Sequence, residues 1–229
     1  ASPADSTIVP GRALAVASAA PAHAPKKSSS QAARATGDMQ LLEKQAFSLV
    51  NLYFIGGLFI NLFCLFLANH KSDMGFWYSW TSHLVDQGYE DFPGNYPPIY
   101  LHWLYLSGNF MQVTGIPIDS GIMLKFFNQL PIIISHLALN ALVFKLLLHY
   151  RATDSQLHIV MLLTVFNPAL LFDGPVWGQV DIFPTIFVMT AFYLIAINKA
   201  VYLALPLFTV ALLTKFQMIC FAPVFAIIF

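Results

Sequence analysis

The chain has 229 residues, of which 58% are hydrophobic and only 10% charged, with a formal net charge of zero. Soluble domains carry about 25% charged residues, so this chain lacks the polar groups to cover a water-facing surface. The neutral balance also gives no reason to expect a nucleic-acid partner. Cys64 and Cys220 are its two cysteines, both inside apolar runs. They read as buried thiols rather than a disulfide framework.

Residues 1–40 are rich in Ala, Ser and Pro without apolar periodicity and are predicted to be a disordered tail. Arg12, the alanine-rich run after it and Ala22-His23-Ala24 faintly resemble a signal peptide. The apolar stretch is too weak for one, and a transit peptide or cytoplasmic tail fits better. The chain begins at Ala1 without a methionine and stops at Phe229 inside an apolar run. It therefore reads as the first part of a longer protein, or as a processed one.

Residues 41–229 are predicted to form one all-α domain, a polytopic transmembrane helical bundle. Residues 45–69 carry no charge, enough to span a bilayer with some tilt. Lys26, Lys27, Arg34 and Lys44 precede that run and favour a cytoplasmic N-terminus. Residues 70–97 then form a polar, aromatic first extracytoplasmic loop. Phe76, Trp77, Trp80, Leu84 and Val85 recur there at helical spacing, which predicts an amphipathic helix on the membrane interface. Further apolar segments follow at 99–116, 122–148, 157–172, 182–197 and 201–229. If each crosses once, the link His149-Tyr150-Arg151 lies outside, against the positive-inside tendency. If 99–116 is short, tilted or re-entrant, that link falls inside and the 173–181 link returns to the side of the first loop. The second arrangement is the expectation. Re-entrant backbone needs shielding by protein or water, and Pro97, Pro98, Gly108 and Gly115 suit it.

Four constellations carry polar chemistry. Asp73 just past the first span can hold a carboxylate beside a lipid head group, although a solvated loop acid explains it equally simply. Tyr96-Pro97-Pro98 makes a rigid helix entry. Asn167-Pro168 and Trp177-Gly178-Gln179-Val180-Asp181 put an acid and an amide around a Trp at a span boundary. Capping of the helix from Ile182 accounts for Asp181, but not for Trp177 and Gln179. Lys215 is the only charge after residue 200. A Lys at a span centre costs about 2.5–3.5 kcal/mol on insertion scales. At 1.5 Å per residue it lies about 21 Å along a helix starting at residue 201, towards the side of Trp177 and Asp181. It either snorkels to the surface or pairs with an anionic ligand group. Finally, Lys125, Gln129, His136 and Asn140 stand at about 60°, 100°, 80° and 120° from Asn128 on a helical wheel. That polar stripe supports interhelical hydrogen bonding, Asn140 above all, or a ligand path. The chain has no metal-ligand spacing of histidines or cysteines, no phosphate-cradling Gly loop and no Gly-x-Ser-x-Gly elbow. No metal or other cofactor is expected.

Together these pieces resemble the GT-C superfamily of polytopic glycosyltransferases, above all the bacterial Gpi18-like mannosyltransferases. Eukaryotic lipid-phosphate-dependent glucosyltransferases are more distant relatives. The resemblance rests on Asp73…Trp80, Tyr96-Pro97-Pro98, Asn167-Pro168…Trp177-Gly178-Gln179-x-Asp181, and Lys215-x-Gln217 followed by Pro223. It covers about residues 49–229, and its most specific part is Trp-Gly-Gln-x-Asp. Asn95 stands where relatives often have Asp, Phe216 where they often have Pro, and His136 near a common acidic position. The resemblance implies a multi-pass protein of a bacterial cytoplasmic or endoplasmic-reticulum membrane, with its active site extracytoplasmic or lumenal. It implies inverting transfer of a hexose, mannose first, from a polyprenyl- or dolichyl-phosphate sugar to a lipid-linked or glycan acceptor. Asp73 would be the base. Lys215, with Lys125 or His136 assisting, would hold the phosphate. Trp177, Gln179, Asp181, Tyr96 and Gln217 would line the substrate pocket. A non-catalytic subunit on the same fold and a transporter with Lys125, His136 and Lys215 along its path are the other open readings.

Overall fold

The computed structural model describes residues 51–119 and 121–229, which belong to one compact unit. The expectations for the 1–40 tail, its targeting character and the first residues of the 45–69 run lie outside the described residues. Within them the structure is helical and contains no strand.

Helix α1 (Asn51–Leu65) ends in a tight turn, Phe66 N–H to Phe63 O and Leu67 N–H to Cys64 O. Helix α2 (Lys71–Gln87) takes up most of the expected first loop and packs against α3 (Pro98–Thr114). Pro98 opens α3 at a position where a missing N–H costs nothing. Gly115 closes it in the left-handed conformation, φ 72°. The two helices meet at Gly108, where an added Cβ would lie 2.6 Å from Val85 Cγ2 and 2.7 Å from Thr81 Cγ2.

Helix α4 (Ile122–His149) is the long axis of the unit: 28 residues, about 42 Å at 1.5 Å per residue. Pro131 inside it has no N–H for the carbonyl of Phe127. Trp103 of α3 takes that carbonyl instead, Nε1 to O 2.9 Å, and the Tyr100 hydroxyl donates to Asn128 O one residue on. Helix α3 is thereby bound to the first turns of α4. Helix α5 (Asp154–Val165) starts from a capping box between Thr153 and Gln156. The short α6 (Pro168–Leu171), capped by Asn167, runs into a wide π-helical turn at Phe172–Trp177. Helices α7 (Ile182–Ala196) and α8 (Ala204–Thr214) pair closely through Ala191, Ala204 and Ala211, all fully buried. A tight turn (Phe216–Phe221) and α9 (Ala222–Ile228) follow.

Helix α4 and the run Asp154–Trp177 are each long and apolar enough to cross a membrane. The expected segment 157–172 lies inside the apolar run Asp154–Trp177, which has a local break at Phe166-Asn167 before Pro168, since the residue preceding a proline resists helical geometry. Two expectations need correction. Residues 201–229 do not form one span, because the helix stops at Thr214 and Lys215 is extended, φ −154° and ψ 123°. Cys220 is exposed, while Cys64 is buried.

The close approach at Gly108 gives a direct test. Gly108→Leu should overpack the α2–α3 contact and cost about 1–3 kcal/mol. A lowered Tm of the purified protein in detergent, with Gly75→Ala as a comparison where an added Cβ meets nothing within 4 Å, reads the effect.

Candidate functional site

Three interruptions in the helices meet at one end of the unit: the start of α2, the turn from Phe172 to Asp181, and the break after α8. Each exposes backbone and polar side chains that a regular helix would have satisfied, and each finds its partners in the others. His70 N–H donates to Trp177 O at 3.3 Å, and Trp77 Nε1 donates to Gly178 O at 2.8 Å. Gly178 has φ 101°, which L side chains rarely adopt, and a Cβ there would lie 3.3 Å from Met74 Sδ. The first two turns of α2 are thus fastened to the Trp177-Gly178-Gln179 segment. Trp77, Trp80, Tyr100, Val180 and Ile182 form the apolar floor beneath it.

Asp73 lies in the first turn of α2 rather than in a loop before it. Its Oδ2 accepts from Trp177 Nε1 and from Gln179 Nε2, the latter at 2.8 Å. The His70 Nδ1 is 3.4 Å from the same oxygen. Asp73 Oδ1 has no hydrogen-bond partner among the described residues. The other end of the Gln179 amide, Oε1, accepts from Lys215 Nζ at 3.5 Å, and Lys215 also donates to Asp181 Oδ1. Asp73, Gln179, Lys215 and Asp181 therefore form one continuous polar run. The Lys215 side chain is 8% exposed and that of Asp181 43%. Asp181 stands at the start of α7 but makes no capping bond; its carboxylate neutralises the buried ammonium instead.

The Tyr96 ring centroid is 5.8 Å from Lys215 Nζ. Burial pushes the Tyr96 phenol up, against the opposing pull of the Lys215 ammonium, so it stays a neutral hydroxyl at ordinary pH. A cavity of about 360 Å³ opens beside this pair, lined by Asn95, Tyr96, Pro97, Lys215, Phe216 and Gln217. Gln217, exposed, joins the group through that cavity. A second hollow of about 290 Å³ lies against Asp173, Asp181 and Thr185 with apolar walls from Leu139 and Leu170.

Two residues from the polar stripe of α4 are committed elsewhere. Lys125 Nζ donates to Leu65 O and Leu67 O, both at 3.0 Å, and so closes the C-terminal end of α1. His136 pairs with Asn61 at 2.9 Å and, through Nε2, with Thr164 O at 3.2 Å. The stripe thus faces α1 and α5, with its Lys and His in interhelical contacts. Asn140 differs from expectation: its amide makes no hydrogen bond, and neither do those of Asn128 and Gln129, although all three are buried. Gly57 packs against Asn140, where a Cβ would lie 3.2 Å from Nδ2.

Sequence reasoning passed over His70 and read Trp77 only as part of the amphipathic interfacial helix. The available signal for His70 was its place three residues before Asp73 at a helix start lacking Ser, Thr, Asp or Asn. Among the described residues no group of three or more His, Cys, Asp or Glu could hold a metal ion. Comparison with family models, curated proteins and solved structures finds no match to this chain.

The placement of Lys125 predicts a structural phenotype. Lys125→Met should leave the Leu65 and Leu67 carbonyls unpaired, at about 1–3 kcal/mol for buried groups. Thermal unfolding in detergent should register that loss as a lowered Tm.

Proposed function

We propose that this chain is an inverting membrane hexosyltransferase of the GT-C type, with a lipid-phosphate sugar as donor. The carrying observation is the polar run itself. A carboxylate with one free oxygen and a buried ammonium, 142 positions apart in the chain, are joined through a single amide beside a cavity. Those are the two groups such a transfer needs.

The acceptor hydroxyl oxygen attacks the anomeric carbon of the donor as the bond from that carbon to the phosphate oxygen breaks. The electron pair of the broken bond leaves with the phosphate. The acceptor's proton passes to Asp73 Oδ1, acting as general base. A phosphate is a good leaving group without protonation, so the second carboxylic acid of a glycosidase has no counterpart here. Lys215 meets the charge that grows on the phosphate; an ammonium has three donor hydrogens, its contacts to Asp181 and Gln179 use two, and a ligand would take the third in place of the Tyr96 hydroxyl. Both polar ends of Gln179 and the Trp177 N–H are spent on protein partners. These two residues hold the base and the cation in place, and Tyr96 and Gln217 shape the cavity wall.

The setting supports a multi-pass reading beyond the two long apolar segments. Phe59, Phe63 and Phe66 after or on α1, and Leu162, Leu163 and Phe166 on or after α5, are large and exposed, as lipid-facing residues would be. The shorter apolar helices 51–65, 182–196, 201–214 and 216–228 would complete the bundle around α4. Helix α4 runs from the site end to the His149-Tyr150-Arg151 link, and α7 from Asp181 to Lys199. The far ends of α4 and α7 carry Lys145, Arg151 and Lys199, a basic end opposite a site that holds Asp73, Asp173 and Asp181 along with Lys71 and Lys215. That polarity suits an extracytoplasmic or lumenal site, with α2 on the interface. The transport reading has less support, because Lys125 and His136 spend their polar atoms on α1 and α5.

The experiment is transfer of labelled mannose from polyprenyl-phosphate mannose in proteoliposomes. Asp73→Asn should lower turnover by about 10²–10⁴-fold, the usual contribution of a general base. Lys215→Met should act mainly on the same chemical step. Full turnover by a folded Asp73→Asn protein would remove the assignment.

A further inference from the structure

Histidine 70 occupies the N-cap of α2, where Ser, Thr, Asp or Asn normally turn back to satisfy the helix. His70 makes no such bond. Its side chain leans the other way and lies on the Trp177 indole, ring centroids 4.8 Å apart and planes 23° from parallel. Its own N–H is tied to the Trp177 carbonyl at 3.3 Å, so backbone and ring grip the same residue. Imidazole Nδ1, 3.4 Å away, and indole Nε1 both address Asp73 Oδ2. A local helix rule is broken here, and broken rules concentrate at functional positions.

Trp177 needs such a grip. It ends a π-helical turn closed by Gly178 N–H to Gly174 O at 2.8 Å and Gln179 N–H to Asp173 O at 3.0 Å, with Gly178 at φ 101°; those bonds hold the backbone and leave the indole rotamer to its neighbours. Phe172 touches the indole edge-on at 5.5 Å, and His70 covers a face. The indole N–H in turn fixes Oδ2 of Asp73, which leaves Oδ1 as the unengaged oxygen.

We infer that His70 is the positioning residue of this site: by clamping Trp177 it sets the rotamer of Asp73 that presents Oδ1 to the acceptor hydroxyl. The inference rests on the group transfer proposed above and adds to it a residue that touches neither the sugar nor the phosphate. The imidazole makes and breaks no bond in the reaction. Its contribution is orientation, where a misplacement of about 1 Å can cost about 100-fold.

The test uses the whole chain in proteoliposomes with polyprenyl-phosphate mannose as the probe, and compares three variants. His70→Ala removes the stack, His70→Phe keeps a flat ring without Nδ1, and Trp177→Phe keeps the stack without the indole N–H. His70→Ala should lower kcat about 10- to 100-fold with the donor KM unchanged within twofold, the pattern of an interaction acting in the transition state. His70→Phe should recover to within about threefold of wild type, and Trp177→Phe should resemble His70→Ala. Near-UV circular dichroism checks the stack itself: a band lost in His70→Ala should return in His70→Phe. Wild-type kcat in His70→Ala overturns the inference while the transferase reading stands. So does equal loss in His70→Ala and His70→Phe, or a loss confined to KM. A wild-type protein that transfers no sugar from the probe overturns both together.

Discussion

A buried ammonium organises this end of the molecule. Lys215 sits in apolar surroundings where an unpaired charge would cost several kcal/mol, so the chain must bring an anion to it. Asp181 answers that need at the expense of capping its own helix, and α8 gives up its continuity at Thr214 to let the side chain arrive. Gln179, two residues before Asp181, is carried into contact with both Lys215 and Asp73 by the same turn. One electrostatic demand therefore fixes where three separate helix breaks must lie.

The breaks and the long helices have different origins. Where packing is largely apolar, regular helices satisfy their own backbone, as in α7 and α8. Irregular backbone is kept where partners exist for it: the π-turn finds the start of α2, and the carbonyl freed by Pro131 finds Trp103. Lys125 applies the same logic at the end of α1, using its charge on two carbonyls rather than on a ligand. Asn128, Gln129 and Asn140 are the exceptions, buried with amides unpaired, and nothing in their surroundings explains them.

Much of this was legible in the sequence where the signal was local. The helix starting at Pro98 follows from Tyr-Pro-Pro, and the amphipathic helix through Trp77 and Trp80 from their spacing. The charge-poor segments mark α4 and the run after Asp154. The grouping of Asp73, Trp177, Gln179, Asp181 and Lys215 was implied by the family resemblance, since each taken alone reads equally well as a loop acid, a cap or a snorkelling charge. Direction was harder to read. Hydropathy treats residues 201–229 as one run, since Lys215 is a single charge among many apolar residues; that its backbone turns extended depends on Asp181, 34 positions earlier. The α4 stripe was visible as a stripe, but a helical wheel does not say which neighbour it faces. His70 carried almost no signal, because its role comes from an indole more than a hundred positions away.

Pro131 and Trp103 share one carbonyl, and that bond leaves a trace that genetics can read. A chain with Ala at position 131 would close its own helix at Phe127 and make the indole N–H redundant. A chain without the indole would gain from restoring an amide there. Loss of Trp103 should therefore be accepted only together with replacement of Pro131, whereas Pro131→Ala alone should be tolerated, since one carbonyl oxygen can accept two hydrogen bonds. A homologue keeping the proline without the tryptophan would have to supply some other donor to the same oxygen.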